Sequence, residues 1–237
     1  MNQPAIRKEK VELSAGDGPR MAAYTVAPDD RGPHPGLLLF QEAFGVNHHI
    51  RDVADRFARE GYVVIAPELF HHTAPVGFEV AYTDFDAVRP HIQATTPANL
   101  ENDIRASYDW LRANKLANAY QISSVGFCLG GRTSFIANSV VTLRAAVSFY
   151  GGGIAPALLD RAPRQQAPLL LVWGGLDKHI TPEVRRSITD ALTAAERNFV
   201  NVEFSKADHG FFCDEGAAYE PHSAKQAWAL TLEFLRS

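Results

Sequence analysis

Short runs of nearly unbroken apolar residues recur along this chain, and between them the apolar spacing changes period. Residues 36–40 (GLLLF) and 62–66 (YVVIA) are two such runs. A strand with one wet face would alternate, whereas a continuous run fits a strand covered on both faces, as in parallel sheets. Between the two runs, Ile50, Val53, Ala54, Phe57 and Ala58 share one face of a helix, and Gly61 follows as its C-terminal cap. The alternation continues downstream. Strands are expected at 121–127, 143–150, 168–173 and 201–205. Helices are expected at 129–139, from Thr181-Pro182 to about Arg197, and along the stripe Ala227, Leu230, Thr231 and Phe234. Thr96-Pro97 reads as an N-cap and first helical residue ahead of the stripe Leu100, Ile104, Tyr108 and Leu111. At the start, 11–15 and 21–27 read as antiparallel strands joined by Gly16-Asp17-Gly18-Pro19. This order predicts an α/β fold: a mostly parallel central sheet with helices on both faces. In such sheets the functional residues sit at the carboxyl ends of strands.

No linker-like composition divides the 237 residues, so a single domain, 1–237, is expected. Residues 68–96 are less regular and predict a loop with a short helix, the kind of excursion that covers a site. Hydrophobic residues make up 46% of the chain, too many for disorder. A formal net charge of −4 with no Lys/Arg block argues against nucleic acid or anionic membranes as partners. No apolar run approaches the ~20 residues of a membrane span, and the polar start lacks a signal-peptide core. Two cysteines, Cys128 and Cys213, make no disulfide framework. The cytoplasm is therefore the expected location, and a monomer or small homo-oligomer the expected state.

The chemistry concentrates in Gly126-Phe127-Cys128-Leu129-Gly130-Gly131, between an expected strand and an expected helix. This G-x-C-x-G is a nucleophile elbow with cysteine at its tip. A sharp strand-to-helix turn forces the central residue into strained backbone, and the flanking glycines leave room for it. The sulfur then stands at a helix N-terminus, whose positive dipole end favours thiolate. The N–H of Leu129 is placed to face an oxyanion. A thiol nucleophile needs a base and a residue that orients it. Asp177 follows the strand at 168–173, and His209 follows the strand at 201–205. Nucleophile, acid and histidine thus come in the chain order expected for this elbow.

These segments together resemble the dienelactone hydrolase (carboxymethylenebutenolidase) family of α/β hydrolases. The resemblance covers nearly the whole chain from about Gly36. Gln41-Glu42-Ala43-Phe44-Gly45-Val46-Asn47 is similar to the family's Q-E-x-F-G-x-N segment. Gly126–Gly131, Gly174-Gly175-Leu176-Asp177 and His209-Gly210-Phe211 are similar to its nucleophile, acid and base segments. The resemblance implies a single-domain α/β-hydrolase that opens small esters or lactones through a thioester, with no cofactor. It implies that Glu42 approaches the nucleophile and tunes it, because a nearby carboxylate disfavours a second negative charge on sulfur. It also implies that the N–H of Ala43 is the second oxyanion donor. Phe44, Phe70, Arg89, Tyr150 and Phe211 are the expected substrate-pocket residues.

Two departures bear on the substrate. Gly210 stands where a serine would offer a hydroxyl, and the cover segment, with Phe70, Phe78 and Phe85, is aromatic with Arg89 as its nearby guanidinium. Hydrolysis is thus better supported than dienelactone as the particular substrate. A thioester or other acyl group on the same triad is an alternative, as is a thiol redox or binding protein without turnover. Metal is not expected: the pairs His48-His49 and His71-His72 are adjacent residues that point different ways and lack H-x-x-x-H spacing. His179 reads as a surface neighbour of the triad and Cys213 as a packed free thiol.

Overall fold

A computed structural model describes residues 4–237 of this chain. The chain divides into two compact units, one running to Ser123 and the other Ser124–Ser237.

The first unit holds β1 (Ile6–Leu13), β2 (Met21–Pro28), β3 (His34–Phe40) and β4 (Val63–Pro67), in the order β1-β2-β4-β3. β1 and β2 form the expected antiparallel hairpin, with Leu13 opposite Met21 and Ile6 opposite Pro28. β2 is antiparallel to β4, and β3 is parallel to β4. β1 starts earlier than its apolar residues suggest and ends before residue 15. It is an edge strand, and its charged residues Arg7, Lys8, Glu9 and Lys10 are exposed, so no apolar signal marks its first half. Helix α1 (His48–Arg59) buries Ile50, Val53, Ala54, Phe57 and Ala58, the predicted face. Gly61 follows with φ +95° and donates to Ala58. The segment 68–96 is a series of turns followed by α2 (Phe85–Ala94), as expected. α3 (Pro97–Ala113) begins at the predicted cap, where Thr96 Oγ1 accepts from Asn99 N–H at 3.2 Å.

Strand β5 (Ala117–Phe127) begins in the first unit and ends in the second. The second unit continues with α4 (Leu129–Val140), β6 (Ala146–Phe149), β7 (Leu169–Gly174), α5 (Pro182–Ala194), β8 (Phe199–Phe204) and α6 (Pro221–Arg236). The order is β5-β6-β7-β8, and every pairing is parallel. The expected mostly parallel α/β architecture is what forms. β6 begins three residues later than expected and ends one residue earlier, where Tyr150 turns to φ +35°. α5 stops at Ala194, not near Arg197. Glu196 turns to φ +54° and Arg197 N–H reaches back to Leu192 C=O at 3.0 Å, a Schellman-type ending. A 3₁₀ helix at Leu159–Arg164, with Pro163 inside it, has no counterpart in the sequence reading. Among the described residues, no helix is long and apolar enough to cross a membrane.

Candidate active site

Cys128 sits between β5 and α4, as the N-cap of that helix, with φ +53° and ψ −111°. This is outside the comfortable regions for a residue with a side chain, and such a conformation costs about 1–3 kcal/mol. The surroundings hold it there. Cys128 N–H donates to Phe149 C=O at 3.0 Å, and Cys128 C=O accepts from Arg132 N–H at 3.2 Å. The glycines permit the turn. A Cβ on Gly126 would stand 1.9 Å from Gly130 C=O, and one on Gly131 would stand 2.4 Å from Phe149 C=O. Leu129 is the first residue of α4, so its N–H belongs to the helical turn that has no intrahelical acceptor.

Asp177 and His209 follow β7 and β8, and Tyr150 follows β6. The second unit thus brings Cys128, Tyr150, Asp177 and His209 to the carboxyl ends of four adjacent parallel strands. His209 Nδ1 lies 2.8 Å from Asp177 Oδ2. The other oxygen of Asp177 accepts from the N–H groups of His179 and Ile180 at 2.8 and 3.1 Å. The carboxylate is buried, with 1% of its side chain exposed. Burial alone would raise the Asp177 pKa, but the His209 hydrogen bond and charge and the two backbone N–H groups hold it below the ordinary value. Burial likewise works against a charged His209. The hydrogen bonds to Asp177 and to Cys128, with their charges, overcome it and push His209 up to about 10. These partners favour the cationic form of His209, held between a carboxylate and the cysteine sulfur.

Aromatic rings pack against this pair. The Tyr150 ring lies 5.0 Å from the His209 ring and 5.6 Å from that of Phe211, which is fully buried. The ring of His179 meets His209 edge-on at 5.6 Å. Arg132, on the first turn of α4, was not singled out in the sequence, although it directly follows Gly130-Gly131. Burial lowers the pKa of its guanidinium, and the Cys128 sulfur opposes that shift. Its Nε is buried without a hydrogen-bond partner. Cys213 is buried and, like Cys128, free of any disulfide.

The remaining expected residues lie in the first unit. Glu42 and Ala43 follow β3 and are buried at 3% and 2% exposure. Glu42 Oε2 accepts from Tyr82 O–H at 2.8 Å, and that hydroxyl accepts from Asn47 Nδ2 at 3.0 Å. Asn47 is also the N-cap of α1. Gln41 Oε1 accepts from Leu69 N–H at 3.0 Å. Tyr82 thus ties the 68–96 segment to Glu42 and α1, a role that no sequence pattern announces. The Phe44 ring packs on Tyr82 at 4.5 Å, and Phe70 is buried against Phe78 and His91. Arg89 is on the exposed side of α2, paired with Asp86 at 2.6 Å and lying over the Phe85 ring.

Known proteins are similar to this chain over most of its length. The model of the dienelactone hydrolase family matches residues 21–237. A protein of Synechocystis sp., provisionally named carboxymethylenebutenolidase, is 35% identical over 218 residues, which is 88% of each chain. A similarly named Escherichia coli K12 protein is 31% identical, over 92% of this chain and 83% of its own. Among solved structures, a provisional dienelactone hydrolase from Klebsiella pneumoniae superposes with a TM-score of 0.87 at 30% identity, over 98% of this chain and 99% of its own.

Proposed function

The chain belongs to the dienelactone hydrolase family, and we propose that it hydrolyses small carboxylic esters or lactones with Cys128 as nucleophile, His209 as acid and base, and Asp177 as its anchor. The observation that carries this reading is the His209–Asp177 pair at 2.8 Å, with His209 also hydrogen-bonded to the strained cysteine. A redox sensor needs no oriented general base. An acyl-transfer site does, because the histidine must give a proton to one leaving group and take one from water.

In the proposed cycle the Cys128 thiolate attacks the carbonyl carbon, and the C=O electron pair moves onto oxygen. The N–H of Leu129 stabilises that oxyanion, and the family motif assigns Ala43 N–H as the second donor. Each such donor contributes roughly 3–4 kcal/mol. Collapse breaks the ester C–O bond, and the His209 imidazolium protonates the departing alkoxide. The product at this point is a Cys128 thioester and neutral His209. Neutral His209 then removes a proton from water, and the oxygen attacks the thioester. Collapse expels the thiolate and leaves the acid, with the imidazolium restored. In a lactone the alcohol stays part of the acyl chain throughout, and a single hydroxy acid leaves after this second half. Glu42 tunes the resting sulfur in the family pattern, and Glu42→Gln tests that assignment through the ratio of thiol alkylation to turnover.

The test is steady-state hydrolysis of an ester, lactone and thioester panel, dienelactone included, by the wild type and a folded Cys128→Ala variant. Turnover lost only in the variant is expected, with an acyl adduct on Cys128 visible by mass spectrometry after rapid quenching. Equal turnover in both removes Cys128 from the reaction. No turnover on any substrate, with fast Cys128 alkylation, favours a thiol that senses or binds.

A further inference from the structure

A second cluster of reactive side chains lies within the first unit. His71 is in the turn after β4, and Asp103 is in α3. Both side chains are almost fully buried, at 2% and 1% exposure. His71 Nδ1 lies 3.1 Å from the carbonyl oxygen of Pro19, and His71 Nε2 lies 3.0 Å from Asp103 Oδ1. A carbonyl only accepts, so Nδ1 carries a hydrogen. Nε2 then faces a carboxylate oxygen, and a cation, either a proton or a metal ion, must sit between two groups that otherwise repel. A proton there serves Oδ1 alone. Asp103 Oδ2 is buried and has no hydrogen-bond partner. The expectation that adjacent histidines diverge is also overturned here. The His72 ring lies 4.0 Å from the His71 ring, centroid to centroid, because the chain turns tightly through Phe70–Thr73.

We propose that His71 Nε2, His72 and Asp103 bind one divalent transition-metal ion, of which Zn²⁺ fits best. Ligand atoms of all three residues lie within 4.8 Å of one another. Two ligands on one tetrahedral zinc stand about 3.3 Å apart, given bonds of about 2.0–2.1 Å. The His71–Asp103 separation is already near that value. The remaining contraction falls to His72, whose exposed side chain can turn inward and whose opening admits the ion. Two imidazoles and a single carboxylate suit zinc, cobalt or nickel. Magnesium and calcium prefer a shell of oxygens. The N–H of His71 to Pro19 C=O is the outer-shell bond that metal-bound histidines usually make, and it fixes which nitrogen faces the ion. The ion would clip the turn at 70–73 to α3 and to the β1–β2 connection.

Cobalt is the probe, titrated into the full-length chain and followed by its visible absorption, with Zn²⁺ displacing it. One ion per chain is expected, with Kd at or below about 10 μM and no sulfur-to-cobalt band in the near ultraviolet. Loss of an outer-shell partner alone weakens a metal site about 10- to 100-fold, so His72→Ala and Asp103→Asn are expected to weaken binding at least tenfold. His72 is exposed, so its variant keeps the test valid if the buried Asp103→Asn fails to fold. Absent binding leaves a proton as the occupant and overturns the proposal. A sulfur band, or unchanged affinity in His72→Ala, places the ion elsewhere and overturns it equally.

Discussion

At the scale of single residues, the site depends on backbone that few residues tolerate. Cys128 holds φ +53° only because Gly126 leaves room for Gly130 C=O. Gly126→Ala would put a methyl carbon 1.9 Å from that oxygen, and backbone cannot yield as a side-chain tip can. The expected cost is at least about 3 kcal/mol, at the upper end for overpacking, read as a lower urea midpoint or as insoluble protein. Asp177→Asn tests the electrostatics. The amide removes the negative charge and the charge-assisted hydrogen bond that raise His209, so the His209 titration, followed by NMR, should fall from about 10 toward 6.5. Turnover should drop by roughly a hundredfold or more, because the imidazole also loses its orientation. A His209 midpoint that stays near 10 would show that Asp177 is not what holds the proton.

At the scale of elements, helix starts are set by local hydrogen bonds that can be compared. Thr96 and Thr181 both precede a proline and both cap a helix. Thr96 Oγ1 accepts at 3.2 Å from Asn99 N–H, whereas Thr181 Oγ1 is 3.5 Å from Val184 N–H. Thr96→Ala is therefore expected to cost about 1 kcal/mol, and Thr181→Ala measurably less, by urea denaturation of each. Equal costs would mean that cap geometry does not decide the difference. Both caps were legible in the sequence, since a Thr-Pro pair before a helical stripe has few other uses. The early start of β1 was not, because an edge strand with exposed charged side chains shows no apolar period.

For the whole molecule, the triad couples stability to pH. His209 has a raised folded-state pKa, so its contribution is complete below 6.5 and is lost as pH rises toward about 10. Asp177 has a lowered one, so its contribution is present above 3.8 and is lost as pH falls through the folded value. The difference in Tm between the wild type and Asp177→Asn should therefore be greatest between about pH 5 and 6.5 and shrink toward pH 10. A difference that grows with pH across that range would contradict the imidazolium assignment.

The sequence by itself determined the α/β class and the alternation of elements, and it singled out Cys128, Asp177 and His209 as candidates. Each rests on a local signal: period, capping, or a glycine-flanked turn at the end of a strand. Only the tertiary structure decided which side chains meet. Tyr82 reaches Glu42 from 40 residues away, and His71 meets Asp103 across 32. Arg89, the one guanidinium expected in the cover segment, went instead to the exposed side of α2 and paired with Asp86 three residues earlier. Such pairings are set by how strands order and how turns aim side chains, and neither quantity is written in the spacing of residues along a single chain.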